Sequence, residues 1–343
     1  MSARRTEVAV IGAGAMGSAA AWWLARRGVD VVLFEQFELG HTRGSSHGAT
    51  RIFRMAYDDP AYVRMAQAAL PLWRELEDDA GEPLLDTTGA IDRGDPSSVD
   101  AVGAAMRTCG VRVERLTVAA ATERWPAFRF SGDVLFHPEG GRCRADATVS
   151  ALHRRAADHG ADVRFGERVQ LRASADGVEV VADDDAWQAP TAVVTAGAWA
   201  THVLGSRAPE VTVTQEQVQH FAPRVEQEWP SFIDHRRPWI YGLLTPGEGV
   251  KVDEHHVGPV VDPDHRLPRD ADAEARVVRY VEEWMPGLDP TPLYTTECLY
   301  TTTPDESFVI ERVGPVVIGS PCSGHGFKFT PLIGRLLADL ALE

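Results

Sequence analysis

The stretch Glu7-Val8-Ala9-Val10-Ile11-Gly12-Ala13-Gly14-Ala15-Met16-Gly17 runs on through Trp22 and Leu24 to Val31-Val32-Leu33-Phe34-Glu35, and it decides the fold. An apolar strand, Val8–Ile11, leads into a glycine turn, then a helix, then a second strand that ends on an acid. That is the dinucleotide fingerprint in the strand–turn–helix–strand context it needs. Gly12 permits the tight turn, Gly14 lets backbone approach a pyrophosphate, and Gly17 lets helix and strand pack closely. The helix N-terminus offers free N–H groups and a positive dipole end to phosphates. Glu35, 18 residues past Gly17, is placed to accept hydrogen bonds from ribose hydroxyls. Glycines and acid alone do not separate NAD from FAD.

Residues 8–25 carry no charge after a basic start, which invites a signal-peptide or membrane reading. The run is too rich in Gly and Ala for a spanning helix, so no membrane partner is expected. At 343 residues there is room for about two domains with real cores. Hydrophobic content of 44% and charged content of 24% are those of a soluble globular protein. A net charge of −16 argues against nucleic acid as partner. It leaves an anionic small substrate possible wherever Arg and Lys cluster. The four cysteines show no CxxC spacing, which argues against a disulfide framework or zinc site and fits a cytoplasmic compartment. Asp253-Glu254-His255-His256, with Asp262, Asp264 and His265, are metal-ligand types without a helical metal spacing, so no metal is expected.

After Glu35 a Gly/Ser/His-rich loop includes Ser45 and Gly48 and leads through Thr50 to Arg51-Ile52-Phe53-Arg54. Such loops are usually functional, and two arginines three apart would share one face of a helical start. A helix is expected over residues 61–78, kinked at Pro71. Asp146 reads as the N-cap of a helix stopped at Gly160. Val169–Leu171 reads as a strand. Ala192–Thr195 reads as a buried strand entering Ala196-Gly197-Ala198-Trp199, a place for backbone to meet a cofactor. Residues 211–221, 239–241 and 250–252 suggest a second sheet, followed by a helix over 271–284 with Ala271, Ala275, Val278 and Val281 on one face. Near the end come Cys298-Leu299-Tyr300-Thr301-Thr302-Thr303-Pro304-Asp305 and Ser323-Gly324-His325-Gly326-Phe327-Lys328. The latter precedes a last helix bearing Leu332, Leu336, Leu337 and Leu340 on one side. Its N-terminus would favour a ring that becomes anionic on reduction.

Taken together, the Gly12–Gly17 fingerprint, the Gly48–Arg54 stretch, Cys298–Asp305 and Ser323–Lys328 resemble the monomeric sarcosine oxidase family of flavoproteins over nearly the full chain. The resemblance implies FAD, held covalently by a thioether from Cys298. Cys322 is a rival nearby, at a position where the family pattern has no cysteine. The resemblance also implies that Arg54 and Lys328 hold a substrate carboxylate, as a guanidinium fork and an ammonium are suited to do. Arg51 resembles the arginine near the flavin, Lys251 the lysine that activates oxygen, and His255 the active-site histidine. Tyr241 and Tyr300 resemble tyrosines lining the substrate pocket. Ser45, Thr50, Val169, Gly197, Trp199, Gly324 and Gly326 complete the expected cofactor contacts.

The expected fold is α/β: a Rossmann-like FAD domain with a second, mostly antiparallel-sheet substrate domain, as in glycine and D-amino-acid oxidases. The FAD domain would comprise residues 1–75, 145–210 and 312–343, and the substrate domain residues 76–144 and 211–311. The expected enzyme is a monomer that oxidises a secondary amine bearing a carboxylate, using molecular oxygen and releasing hydrogen peroxide. A dehydrogenase passing electrons to another acceptor, an oxidase of a larger specialised amine, and a non-catalytic NAD- or FAD-binding protein share the fingerprint.

Overall fold

The computed structural model describes residues 3–182 and 185–343, and among these the strands form four sheets. One has six strands in the order Asp162–Arg164, Val31–Phe34, Val8–Ile11, Thr191–Val194, Val316–Ser320, Val309–Val313. All neighbours are parallel except the last pair. Strands buried on both faces read as continuous apolar runs, as VAVI and VVLF do. Val8 pairs with Val31 and Ile11 with Phe34, so Gly12 and Glu35 leave the sheet at the same end. Helices Ala15–Arg26, Ala145–Asp158 and Thr330–Ala341 pack together, and Trp23 Nε1 donates to Pro331 O at 2.9 Å. A four-stranded sheet containing Val169–Ser174 shares its core with residues of the parallel sheet.

The largest sheet has eight strands: Leu288–Thr302, Thr212–Pro223, Gly249–Glu254, Ile240–Thr245, Ser231–Asp234, Ala90–Arg93, Val134–His137 and Glu114–Leu116. Its pairs are antiparallel apart from Ser231–Asp234 with Ala90–Arg93. The register sets Glu216 opposite Cys298, His220 opposite Lys251, Leu243 opposite Lys251 and Tyr241 opposite Asp253. Alternation along each strand therefore gathers Cys298, Tyr300, Glu216, Lys251, Asp253, His255 and Tyr241 on one face. The opposite face buries Phe221, Val250 and Val252 with Val277 and Val281 of helix Ala271–Trp284.

Several local expectations change. Thr50–Phe53 is a strand paired with Gly141–Arg144, not a helical start. Arg51 and Arg54 therefore do not share a helix face, because residues three apart on extended backbone point opposite ways. Helix Pro60–Ala80 does cover the expected residues 61–78, with Pro71 inside it, its buried stripe of Val63, Ala66, Leu72, Trp73 and Leu76 offsetting the lost bond. Arg144, not Asp146, is the N-cap of Ala145–Asp158, and Asp146 lies in the first turn. There its Oδ1 accepts from Gly48 N at 2.8 Å. The buried positions of Ala271–Trp284 are Val277 and Val281, one residue round from the expected Val278. In Thr330–Ala341, Leu332, Ile333, Leu337 and Ala341 are buried, whereas Leu336 and Leu340 are only partly so.

Candidate active site

Between the parallel sheet and the pocket face of the large sheet runs one cavity of about 1480 Å³, larger than most small-molecule sites. At one end it is lined by Gly12, Gly14 and Glu35, and at the other by Lys251, Tyr241, Cys298, Tyr300 and Lys328. Ser45, Thr50, Arg51, Arg54, Val169, Gly197, Trp199, His255, Gly324 and Gly326 also line it. Gly17 lies outside the lining. A Cβ there would stand 1.9 Å from Gly12 O and 2.4 Å from Thr195 Oγ1, so the residue serves helix–strand contact. Gly12 has φ +99° and a Cβ would meet Thr195 O at 2.7 Å. We expect Gly17→Ala to cost at least the ~1–3 kcal/mol of an overpacked core and to loosen the cofactor. Its melting temperature and its 450/280 nm absorbance ratio should both fall, while Gly132→Ala, in open space, changes neither. An unchanged ratio in Gly17→Ala would sink this reading.

Glu35 is 7% exposed. Its Oε2 accepts from Ala13 N at 2.9 Å and its Oε1 from Phe37 N at 3.1 Å. Two backbone donors fix the carboxylate and leave it further lone pairs for hydroxyls. His47 Nε2, His153 Nδ1 and Ser320 Oγ are buried without hydrogen-bond partners, and all three residues line the cavity. Buried polar atoms left unpaired ask for a polar occupant. A cavity of this volume, a glycine turn in its lining and these orphan atoms fit a dinucleotide cofactor.

Around the other end stand four basic side chains, Arg51, Arg54, Lys251 and Lys328. Arg51 donates from Nη2 to Ser45 O at 2.9 Å and to His47 O at 2.6 Å. Lys251 Nζ donates to Thr50 O at 2.6 Å, and Thr50 Oγ1 lies 2.7 Å from Thr245 Oγ1. Burial, then the charge of Arg51, lowers the Lys251 pKa to about 7. Arg54 Cζ sits 4.4 Å from the Tyr57 ring centroid, and Lys328 Nζ donates to Tyr57 Oη at 2.9 Å and to His325 O. Burial, then Arg54, pulls Lys328 well below the usual lysine value. His255 Nδ1 lies 3.4 Å from Tyr300 Oη. Burial, then His256, keeps that imidazole neutral by lowering its pKa strongly. Cys298 is a free thiol, raised to about 12 by burial, with Arg51 and Lys251 opposing.

The acid–histidine cluster divides on the strand. Asp253 faces Tyr241, whereas Glu254 takes a bidentate bond from Arg276. Among the described residues no group of three His, Cys, Asp or Glu is arranged to hold a metal ion. No described helix is long and apolar enough to cross a membrane. Sequence reasoning missed Tyr57, which ties Arg54 to Lys328, and Asp92, whose Oδ1 lies 3.9 Å from Arg54 Nη1 and 2.9 Å from His235 Nε2. It missed Trp239, stacked parallel to His255 at 6.2 Å. Only the fold brings these residues together, though Tyr57 sits three places after Arg54.

The sequence pattern of the FAD-dependent oxidoreductase family matches residues 7–340. The chain belongs to this family. As an FAD-dependent oxidoreductase it is 33% identical to monomeric sarcosine oxidase of Streptomyces avermitilis, over 98% of this chain and 93% of that one. It is 33% identical to peroxisomal sarcosine oxidase of Homo sapiens, over 97% and 91% of the two chains. It is 29% identical to N-methyl-L-tryptophan oxidase of Yersinia pestis, over 98% and 95%. Among solved structures it resembles the open form of NikD, an unusual amino acid oxidase essential for nikkomycin biosynthesis. That match has a TM-score of 0.89 and 27% identity, over 99% and 94% of the chains. Within the FAD-dependent family, the chain sits with the sarcosine and N-methyl-amino-acid oxidases.

Proposed function

We propose that this protein is a flavin-dependent oxidase of a secondary amine carrying a carboxylate, an N-methyl amino acid or a cyclic imino acid. One observation carries the reading: a single cavity joins a dinucleotide turn to the Arg54–Lys328 cation pair and the Tyr241–Tyr300–His255 wall. In this reading Gly12, Gly14, Glu35 and the Ser45–Arg51 loop hold FAD, and Cys298 tethers it. Bound FAD supplies the hydride acceptor and passes the electrons to oxygen, giving hydrogen peroxide, while the protein supplies orientation and field.

Arg54 and Lys328 bind the carboxylate. An anion between them relieves their mutual repulsion and restores the ammonium form of Lys328, which burial otherwise disfavours. The same density of positive charge disfavours an ammonium on the substrate, so the amine gives its proton to solvent water as it enters and its lone pair is free to push. Trp239 and Tyr241 flank the remaining carbon skeleton. Lys251 places positive charge where oxygen gains negative charge.

A panel of N-methyl and cyclic amino acids, read by peroxide release under air, tests the reaction. Failure of every one to bleach the flavin under argon would reject it. Bleaching without peroxide under air would point to a dehydrogenase. We further expect Arg54→Met to lower kcat/KM roughly 10- to 100-fold, the worth of a charged hydrogen bond of ~1.5–3 kcal/mol. The loss should vanish when the acid is replaced by its methyl ester. Equal losses for acid and ester would remove Arg54 from carboxylate binding.

A further inference from the structure

Strand Gly249–Glu254 ends beside the pocket, and the backbone just past it breaks the alternation of the sheet. On continued extended backbone His256 would follow Glu254 to the far face, away from His255. Instead His256 has φ +59°, a left-handed conformation uncommon for a residue with a side chain. The turn brings the two imidazoles together, with ring centroids 4.1 Å apart and planes at 74°. The His256 ring also lies 5.3 Å from that of Tyr300. A residue outside the cavity lining is thus folded back against two residues that form it.

There it meets a second left-handed residue. Ser323 has φ +37° and is fully buried. His256 Nε2 lies 3.2 Å from Ser323 O. A carbonyl only accepts, so Nε2 carries the hydrogen and donates. Ser323 is also held through its own N–H, which donates to Thr301 O at 2.9 Å. Gly324, at φ +72°, has no room for a side chain. A Cβ there would stand 2.6 Å from Tyr300, 2.7 Å from His255 and 2.9 Å from His256 Nε2. Side-chain-bearing residues in sparsely populated backbone regions persist only where their surroundings fix them. Here the two are bonded to each other.

The bond secures the turn that leads to Lys328. Within it His325 N donates to Cys322 O at 2.9 Å. Lys328 Nζ donates back to His325 O and to Tyr57 Oη, so the ammonium takes its place from the backbone of the turn. Lys328 is 5% exposed. Of its three N–H groups these two bonds leave one for a ligand. We infer that His256 is a positioning residue: through Ser323 O it fixes the turn that aims the Lys328 ammonium at a substrate carboxylate. The inference rests on the carboxylate reading above for what Lys328 binds, whereas the His256–Ser323 clamp stands without it.

Hydrogen exchange of the holoenzyme, followed by mass spectrometry over residues 321–329, reads the clamp. His256→Asn keeps a residue suited to left-handed backbone but too short to reach Ser323 O. His256→Gln puts an amide nitrogen back where Nε2 lies. Exchange should rise roughly three- to tenfold in His256→Asn, the worth of one neutral hydrogen bond, and fall back toward the wild-type rate in His256→Gln. Unchanged exchange in His256→Asn overturns the clamp. The consequence for Lys328 is read from the dissociation constants of cyclopentanecarboxylate and cyclopentanecarboxamide, followed by flavin absorbance. His256→Asn should weaken the acid by the same factor and leave the amide unchanged, and His256→Gln should recover the acid. Equal changes for acid and amide, as a merely structural role would give, overturn the positioning role, and so does an unchanged acid. If Lys328→Met binds the acid as well as the wild type does, or the wild type does not bind it, while exchange still responds to His256→Asn, the clamp is upheld and the carboxylate reading fails.

Discussion

Lys251→Met should slow the oxidative half-reaction by about 10²–10³, the usual loss when one preorganised charge or donor is removed from the place where negative charge develops. Reduction by the amine should change far less. The distinction follows from position. Lys251 Nζ is tied to Thr50 O, whereas Arg54 and Lys328 meet at Tyr57. Stopped-flow measurement of each half-reaction separates the two roles, and equal slowing of both would refute the oxygen role. The pH dependence has a definite sign. With its pKa lowered to about 7 by burial and by Arg51, the lysine is charged below that value and neutral above it. The oxidative rate should therefore fall as pH rises. An anion bound in the cavity shifts the midpoint upward, so the fall begins at or above pH 7. Lys251→Arg, permanently charged, should remove the fall. Lys251→Met should be slow and flat.

Much of the fold was legible because the signals are local. Val8–Ile11, Val31–Phe34 and helix Ala271–Trp284 follow from runs and periods of a few residues. The glycine turn follows from steric needs that only glycine meets. What was not legible depends on pairing between distant segments. Thr50–Phe53 became a strand because Gly141–Arg144 lies beside it, and nothing near Arg51 announces that partner. The candidate site shows the same divide. Arg54, Lys251, His255, Cys298 and Lys328 were found through a resemblance spread over the chain. Tyr57 and Asp92 carry no motif, and their place beside Arg54 appears only once the chain is folded. Strand alternation also divides Asp253 and His255 from Glu254, so a cluster that looks continuous in sequence is two separate sets in space.

Cys298→Ser should abolish covalent attachment of FAD altogether. After acid precipitation the yellow colour should leave with the supernatant, whereas the wild type keeps it in the pellet. Serine preserves size and fold but puts a poorly nucleophilic hydroxyl where a thiolate is required. The local electrostatics make Cys298 a demanding nucleophile. Burial raises its pKa to about 12, and Asp253 and Glu216 add to the rise, while Arg51 and Lys251 pull it down. Removing Lys251 should therefore slow the tethering step as well as the oxygen step, so Lys251→Met should accumulate loosely held FAD during expression. Cys322 is the other thiol in the cavity lining, and its Sγ accepts from Thr301 N at 3.4 Å. It provides the internal control. Cys322→Ser should keep the colour in the pellet, and the reverse pattern would transfer the tether to Cys322. Cys143, fully buried and with its pKa raised by burial, lies outside the cavity lining and should change nothing when replaced by alanine. Colour retained in the Cys298→Ser pellet would exclude Cys298 as the sole point of attachment, and with it the reason for a cysteine at that position on the pocket face.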